Sequence, residues 1–429
     1  MEIGAPRGTK DILPASSLHW QYVEAMVRAI CRTYAYQEIR TPVFEHTELF
    51  QRGIGETTDI VSKEMYTFTD RGGRSVTLRP ENTAAVVRAY LENKLYSAPQ
   101  PTKLFYVGPM FRYDRPQAGR LRQFHQFGVE AIGAKGPGID AEIILLAQQF
   151  FHRLGLKDLK LYINSVGCPK CRPVYRTRLQ QALRDKLPEL CDDCRSRFDR
   201  NPMRILDCKN EKCNELSQGV PEMTDCLCEE CATHLTELKS LLTAAGAKYE
   251  LNPRLVRGLD YYTKTAFEIQ YPPLGAQSAV CGGGRYDGLI EEIGGDQTPG
   301  IGFAIGLERV LLALEKQGIL ADTKESIIVY IAVADKNCQP LAFNMLTKMR
   351  QAKIACDMDY LDRSLKAQFK QANRNMARFV AVIGEAEAAQ NKVAVKDMQS
   401  GEQFLMTAED FIEKILAEME DDGLRWTQC

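Results

Sequence analysis

Residues 108–130 read GPMFRYDRPQAGRLRQFHQFGVE. Two apolar stretches flank the polar segment "RPQAG", which carries the proline and glycine of a turn. The pattern predicts two strands, "KLFYVGPMFRYD" and "LRQFHQFGVEAIG", joined as a hairpin. Alternate residues of a strand share a face, so Gln126, Gly128 and Glu130 point one way and His125, Phe127 and Val129 the other. Gly128 leaves space between two polar groups, which suits a small ligand lying on a sheet. Glu130 is followed by Ala131 and Ile132, so its carboxylate falls near a core and needs a partner. A plain solvated sheet face is the competing reading. Arg112, Arg115, Arg120 and Arg122 share the stretch, and an anion is expected to meet them. Arg112, at the end of the first strand, is placed to hold a phosphate through two parallel hydrogen bonds.

The segments around the hairpin fit a mainly antiparallel sheet. Trp20, Val23, Val27, Ile30 and Tyr34 have helical spacing. "SVTLRPENTAAVVRAYLENKL" predicts a short strand that turns at Pro80 into a helix, with Asn82 or Thr83 as cap. "DAEIILLAQQFFHRLGL" reads as a helix, and "LKLYINSVG", "TAFEIQYP" and "SAVCGGGRYDGLI" as strands. "GIGFAIGLERVLLALEKQGI" is a strand running directly into a helix. Residues 166–249 break this pattern, being charged, helical in spacing and rich in cysteine, and are taken as an insertion. The α/β core then comprises residues 1–165 and 250–320. After a polar linker, "LADTKES", strand and helix alternate in a separate α/β domain over 325–429.

Further cations share the strand-end, glycine-rich setting of Arg112. "RGLDYYTKTAFEI" places Arg257 before a glycine, with Tyr261 and Tyr262 entering a strand. "GFAIGLERV" places Arg309 in a first helical turn, behind two glycines that allow close approach of a flat ring or a backbone. The run in "CGGGRYDGL" also points to close backbone approach. Neither a GxxxxGK[ST] phosphate loop nor a GxGxxG after a first strand is present.

These motifs resemble those of the histidyl-tRNA synthetases, class II aminoacyl-tRNA synthetases of bacterial type, and the resemblance spans nearly the whole chain. "YQEIRTPVFE", with Pro42, is similar to the class II dimer motif, "FRYDRPQAGRLRQFHQFGVE" to the second motif and "GFAIGLERV" to the third. "RGLDYYT" and "GGGRYDGL" resemble the two histidine-specific signatures. The resemblance implies a mixed, mainly antiparallel class II sheet with flanking helices, a C-terminal anticodon-binding domain, and a homodimer. It implies that L-histidine is activated by ATP, with Mg2+, to the adenylate and then transferred to tRNA(His). By the same resemblance, Arg112 binds the α-phosphate of ATP and Arg309 the γ-phosphate. Arg257 is the catalytic cation on the α-phosphate, where other class II enzymes use a metal. Glu81 and Gln126 hold the α-amino group of histidine with Thr83 beside them, while Glu130 and Tyr262 bond the imidazole with Tyr261 nearby. Two positions depart from the family pattern: Asn82 stands for a usual glycine and Asp114 for a usual glutamate. The departures predict a stiffer backbone before Thr83 and a shorter reach near adenine.

Nine cysteines lie in the insertion. CxxC pairs suit tetrahedral zinc. Cys168, Cys171, Cys191 and Cys194 are grouped as one structural zinc site, with some of Cys208, Cys213, Cys226, Cys228 and Cys231 as a second. The competing reading is a set of reduced thiols, and no metal is assigned to the catalytic centre on either. In "RSLKAQFKQANRNMAR", Arg363, Lys366, Lys370, Arg374 and Arg378 recur at intervals of 3, 4, 4 and 4. That spacing predicts one basic helical face, a surface for a polyanion or a plain solvated face.

The chain has 429 residues and a formal net charge of -1, so overall charge supplies no attraction for nucleic acid and a local patch must. The opening "MEIGAPRGTKDILP" lacks the apolar run of a signal peptide, and no stretch is long and apolar enough for a bilayer. A cytoplasmic protein with no membrane partner is expected, in which 14 cysteines serve as thiols or metal ligands. Two other readings compete: a histidine-sensing paralogue without aminoacylation, the regulatory subunit of ATP phosphoribosyltransferase, and a zinc-bearing nucleic-acid-binding module. "RGLDYYT" together with "GGGRYDGL" favours the synthetase over both.

Overall fold

In the computed structural model, which describes residues 3–55, 58–320 and 326–421, the hairpin forms as read. Thr102–Phe111 pairs antiparallel with Gln123–Ile132 over ten residues. The connection is longer than "RPQAG", because the strands part at Arg112 and rejoin only at Gln123. The hairpin supplies the second and third strands of an eight-stranded sheet, in the order 37–38, 102–111, 123–132, 300–306, 279–285, 263–270, 160–165, 250–251. Only the two edge pairings are parallel; the others are antiparallel. The chain divides into two units, Met1–Ala321 and Asp322–Cys429.

One face of the first unit's sheet is apolar. Phe303 meets Phe127 of the neighbouring strand edge to face, and Phe267 edge to face across the intervening strand 279–285. Pro137–Arg153 lays Ile143, Ala147, Phe150 and Phe151 into the same core, and Pro14–Thr33 adds Val23, Val27 and Ile30. Both helices start with proline at an N-terminal position whose N–H has no helical partner. Each fully buried side chain of this kind contributes roughly 1.5–3 kcal/mol. This packing holds the sheet rigid and leaves the opposite face for polar chemistry.

The segment after the first helix, glycine- and threonine-bearing in sequence, contains a helix, Thr47–Ile54, and strands 44–46, 66–69 and 75–78 in a small antiparallel sheet. Ser75–Leu78 then turns at Pro80 into the helix Thr83–Glu92, as expected. The cap is a different residue from the two expected. Asn82 stands at the N-cap position without a side-chain capping bond. Instead the Glu81 carboxylate accepts from the backbone N–H of Thr83 at 2.7 Å and of Ala84 at 3.0 Å.

Residues 166–249 contain helices and no strand. The fold separates the cysteines that the sequence grouped. Cys168 and Cys171 meet Cys228 and Cys231, whereas Cys191 and Cys194 meet Cys208 and Cys213. Three CxxC pairs, 168/171, 191/194 and 228/231, each open a different helix; the first meets the third, and the second meets Cys208 and Cys213. Cys226 belongs to neither set.

The second unit has a five-stranded sheet in the order 356–358, 329–333, 379–383, 393–397, 403–406. Its first two pairings are parallel and its last two antiparallel. Gln339–Gln351 and Ala408–Asp421 pack Leu346, Met349, Phe411 and Ile415 into its core. Most of the polar linker "LADTKES" lies outside the described residues. The expected five-charge helical face is shorter than read. The helix is Leu365–Arg374 and carries Lys366, Lys370 and Arg374. Arg363 precedes it and pairs with Asp359 at 2.6 Å. Arg378 follows a left-handed Met376, φ 47°, and pairs with Glu418 at 2.8 Å.

Candidate active site

The polar sheet face floors a cavity of about 460 Å³. All nine residues singled out in the sequence line it: Glu81, Thr83, Arg112, Gln126, Glu130, Arg257, Tyr261, Tyr262 and Arg309. Of the four hairpin arginines, Arg112 and Arg120 reach it and Arg115 and Arg122 do not. Arg122 stacks on the Tyr113 ring instead, 3.9 Å from its centroid.

Two rows of directly opposed residues build the floor. One runs Glu268, Gly282, Ala304, Gly128, Tyr106; the other Ala266, Gly284, Gly302, Glu130, Leu104. The space at Gly128, read as room for a ligand, is filled by the protein. A Cβ there would collide with the phenol of Tyr106. Likewise Gly282 makes room for the Arg257 guanidinium, Gly284 for the Tyr262 ring and Gly302 for the Glu130 carboxylate. These glycines position functional side chains rather than admit a ligand directly. Gly306, the second glycine before Arg309, does stay open, with only Arg309 at 4.0 Å.

Glu130 is buried and has its partners. Thr83 Oγ1 donates to it at 2.7 Å, Tyr286 Oη at 2.7 Å and Tyr106 Oη at 3.5 Å. Burial pushes its carboxyl up to about 8, against the pull of the Tyr286 and Thr83 hydrogen bonds. Burial also pushes Tyr262 up to about 12, so its hydroxyl stays a donor. Gln126 keeps a buried Oε1 with no partner in the structure. An unpaired buried acceptor costs free energy until a donor arrives.

Arg257 bonds Glu268 at 2.5 Å. Burial works against its charge, but Glu268 more than compensates and the guanidinium is held firmly protonated. Arg112 donates from Nε to the Pro80 carbonyl at 2.8 Å, and no ion pair to it occurs among the described residues. Arg309 donates to the carbonyls of Gly119 (3.1 Å) and Ala279 (2.6 Å) and to Gln277 Oε1 (2.8 Å). Burial, then the nearby charges of Arg120 and Arg112, lowers its proton affinity. Cations crowded this way gain from an anion between them.

Both departures from the family pattern are accommodated. Asn82 Oδ1 accepts from Thr41 Oγ1 at 2.7 Å and Arg79 at 3.3 Å, tying the turn before Thr83 to the segment of Pro42. Asp114 pairs with Arg120. Sequence reasoning missed Tyr286, Tyr106 and Glu268. The buried Glu130 was a signal that donors were needed, and Tyr286 stands inside a quoted motif. It also missed Asp207 and Lys209, which bring the cysteine-rich insertion to the cavity wall.

A mainly antiparallel sheet with helices on one face and an arginine-lined cavity on the other, joined to a C-terminal α/β unit, defines a class II aminoacyl-tRNA synthetase. The family model for histidyl-tRNA synthetase matches residues 8–310, and that for an anticodon-binding domain matches 327–418. A histidine–tRNA ligase of Pelotomaculum thermopropionicum is 59% identical over 398 residues, 93% of this chain and 94% of its own. That of Desulfitobacterium hafniense is 54% identical over 424 residues, 99% and 100% of the two chains. The crystal structure of apo histidyl-tRNA synthetase from S. aureus superposes with a TM-score of 0.82 at 43% identity, covering 96% of this chain and 99% of that one. The chain belongs to the histidyl-tRNA synthetase family. Among the described residues no helix is long and apolar enough to cross a membrane.

Proposed function

We propose that the protein is a histidine–tRNA ligase. It activates L-histidine with ATP, releasing pyrophosphate, and transfers the histidyl group to the 3'-terminal adenosine of tRNA(His). The observation that carries this reading is one cavity lined both by a hydrogen-bonded buried carboxyl group, Glu130, and by the guanidinium groups of Arg112 and Arg309.

The imidazole of histidine donates an N–H to Glu130 and meets the Tyr262 hydroxyl. Its ammonium supplies the donor that Gln126 Oε1 lacks, and Glu81 adds opposite charge. Thr83 and Tyr261 complete the wall. The substrate carboxylate then faces the arginines. One of its oxygens forms a bond to the α-phosphorus of ATP, and the bond from that phosphorus to the pyrophosphate oxygen breaks. Arg112 and Arg257 stabilise charge gathering on the α-phosphate oxygens, and Arg309 holds the γ-phosphate. Positioning and fixed charge dominate such a step, since no protein nucleophile is needed. In the second step the terminal ribose hydroxyl of tRNA attacks the adenylate carbonyl carbon and AMP leaves.

Mg2+ enters on the phosphates of ATP. Three of the cavity's carboxylates already have partners: Glu268 has Arg257, Asp114 has Arg120, and Glu308 accepts from the His125 N–H. A side chain without the imidazole N–H offers no donor to Glu130 and no partner to the Tyr262 hydroxyl, and a site built to hydrogen-bond its substrate can discriminate by roughly 10⁴–10⁵ without editing. We assign catalysis to residues 1–165 and 250–320, with 166–249 as an insertion and 325–429 as the anticodon-binding domain of a cytoplasmic homodimer. Amino-acid-dependent ATP–pyrophosphate exchange tests the reading. Exchange with histidine alone is expected; histidine binding without exchange would point to a sensor.

A further inference from the structure

We infer that the helical insertion binds two structural zinc ions, one on Cys168, Cys171, Cys228 and Cys231 and one on Cys191, Cys194, Cys208 and Cys213, and that the second fixes a wall of the substrate cavity. Within each set the four sulfur atoms lie within 4.8 Å of one another. Cys168 Sγ is 3.6 Å from Cys171 Sγ and 3.8 Å from Cys228 Sγ, and Cys191 Sγ is 3.8 Å from Cys208 Sγ. A tetrahedron with Zn–S bonds of about 2.3 Å spaces its sulfurs about 3.8 Å apart. A disulfide would require about 2.05 Å. The spacing therefore matches sulfurs sharing an ion and not sulfurs bonded in pairs.

A second feature is independent of the spacing. Backbone N–H groups are aimed at the sulfurs: Cys228 N at Cys171 Sγ, 3.0 Å; Cys191 N at Cys213 Sγ, 3.3 Å; Asn210 N at Cys208 Sγ, 3.5 Å. Thiols packed only as small apolar groups need no such donors, whereas metal thiolates carry charge that they relieve. Cys171, Cys191 and Cys228 also stand at the starts of the helices Cys171–Leu183, Asp192–Arg200 and Glu229–Ala244, where the helix dipole favours an anionic sulfur. Four thiolates without oxygen or nitrogen ligands select zinc or iron over magnesium or calcium. The insertion has its own small core, with Tyr175, Leu179, Leu183, Phe198 and Ile205 packed among these same cysteines. Small cores of this kind are commonly completed by a metal.

The sites also reach the chemistry. Cys208 lies between Asp207 and Lys209, both of which line the cavity. Arg172, next after Cys171, donates to the backbone carbonyls of Val166 and Tyr262. Metal thus ties the insertion to the cavity from two directions without entering the reaction.

The test measures metal directly on the full-length protein purified without added zinc. Elemental analysis should find two zinc ions per chain. Cobalt(II) substitution should give thiolate-to-cobalt charge-transfer absorption with tetrahedral d–d bands. Cys208→Ser/Cys213→Ser and Cys191→Ser/Cys194→Ser should each retain one zinc, since both act on the same site. Adding Cys228→Ser/Cys231→Ser to either pair should abolish the remaining one. Zinc-stripped enzyme should show a several-fold higher KM for ATP. If variants fail to fold, the wild-type stoichiometry and cobalt spectrum still decide. Zinc well below one per chain, bound iron instead, or a Cys191→Ser/Cys194→Ser protein that keeps both ions would overturn the assignment. The metal stoichiometries and the cobalt spectrum do not depend on the enzyme's activity.

Discussion

The Arg257 guanidinium occupies the space where Gly282 lacks a Cβ, and Glu268, opposite Gly282 in the sheet, holds it there at 2.5 Å. The cation is set by a pair of backbone positions rather than by its own flexible chain. Gly282→Ala must therefore displace it. We expect adenylate formation to fall by about 10²–10³, as when one fixed charge-stabilising donor is lost. Histidine binding without ATP should change little. Arg257→Ala should show the same split between exchange rate and histidine affinity. Wild-type exchange rates in Gly282→Ala would remove Arg257 from the reacting centre.

Glu130 gives the site a pH signature. Its carboxyl stands at about 8 against an ordinary value of 4.5, so the free protein holds a proton at pH 7 that an unfolded chain has lost. The stability this contributes is fully present below 4.5 and is lost as pH rises through 8. An imidazole N–H favours the ionised carboxylate, so histidine binding at pH 7 should release a proton and tighten toward pH 8. Calorimetry in two buffers of different ionisation enthalpy measures that release. Glu130→Gln should abolish it and weaken histidine binding about 10–100-fold, the worth of a hydrogen bond to a charged group.

What the sequence carried was local. Alternation in residues 123–132 and the strand-to-helix run of residues 300–316 were legible because each is fixed by neighbours along the chain. The strands at 44–46 and 66–69 were less so, being only three or four residues long. The purpose of the glycines was hidden because it depends on register: nothing near Gly128 says that Tyr106 lies opposite, and nothing near Gly302 says that Glu130 does. The same holds for the cysteines, where proximity in sequence joined Cys171 to Cys191 but the fold joins it to Cys228. The basic stripe failed for a local reason, since the chain leaves the helix before Arg378.

A second buried constellation supports the site from the apolar side. Asp140 and Arg285 are wholly buried and paired, and Asp140 also accepts from His234 Nε2 at 2.8 Å and Thr265 Oγ1 at 2.6 Å. Burial raises the Asp140 carboxyl, but His234 and Arg285 outweigh it and hold it below its ordinary 3.8. Its contribution is present above that value and lost as pH falls through the depressed one. Asp140→Asn leaves a buried guanidinium short of charge and should cost about 3–5 kcal/mol. Thermal melts at neutral pH should show a large drop, and the gap to wild type should narrow in strong acid.

The C-terminal helix separates two roles that its sequence merged. Lys366, Lys370 and Arg374 are exposed on Leu365–Arg374, while Arg363 and Arg378 are half-buried and committed to Asp359 and Glu418. If the exposed three meet tRNA phosphates, Lys366→Glu/Lys370→Glu should raise the KM for tRNA several-fold. Each lost phosphate contact should also reduce the log–log salt dependence of tRNA binding by about one. Histidine-dependent pyrophosphate exchange, which needs no tRNA, should be unaltered. Arg363→Glu should behave differently: it sets two carboxylates together at Asp359, lowers the melting temperature of the C-terminal unit, and leaves the salt slope near that of wild type. Measuring tRNA affinity across a salt series in both variants separates the roles. An unchanged slope in the double lysine variant would remove this face from the tRNA contact surface, whatever happens to stability.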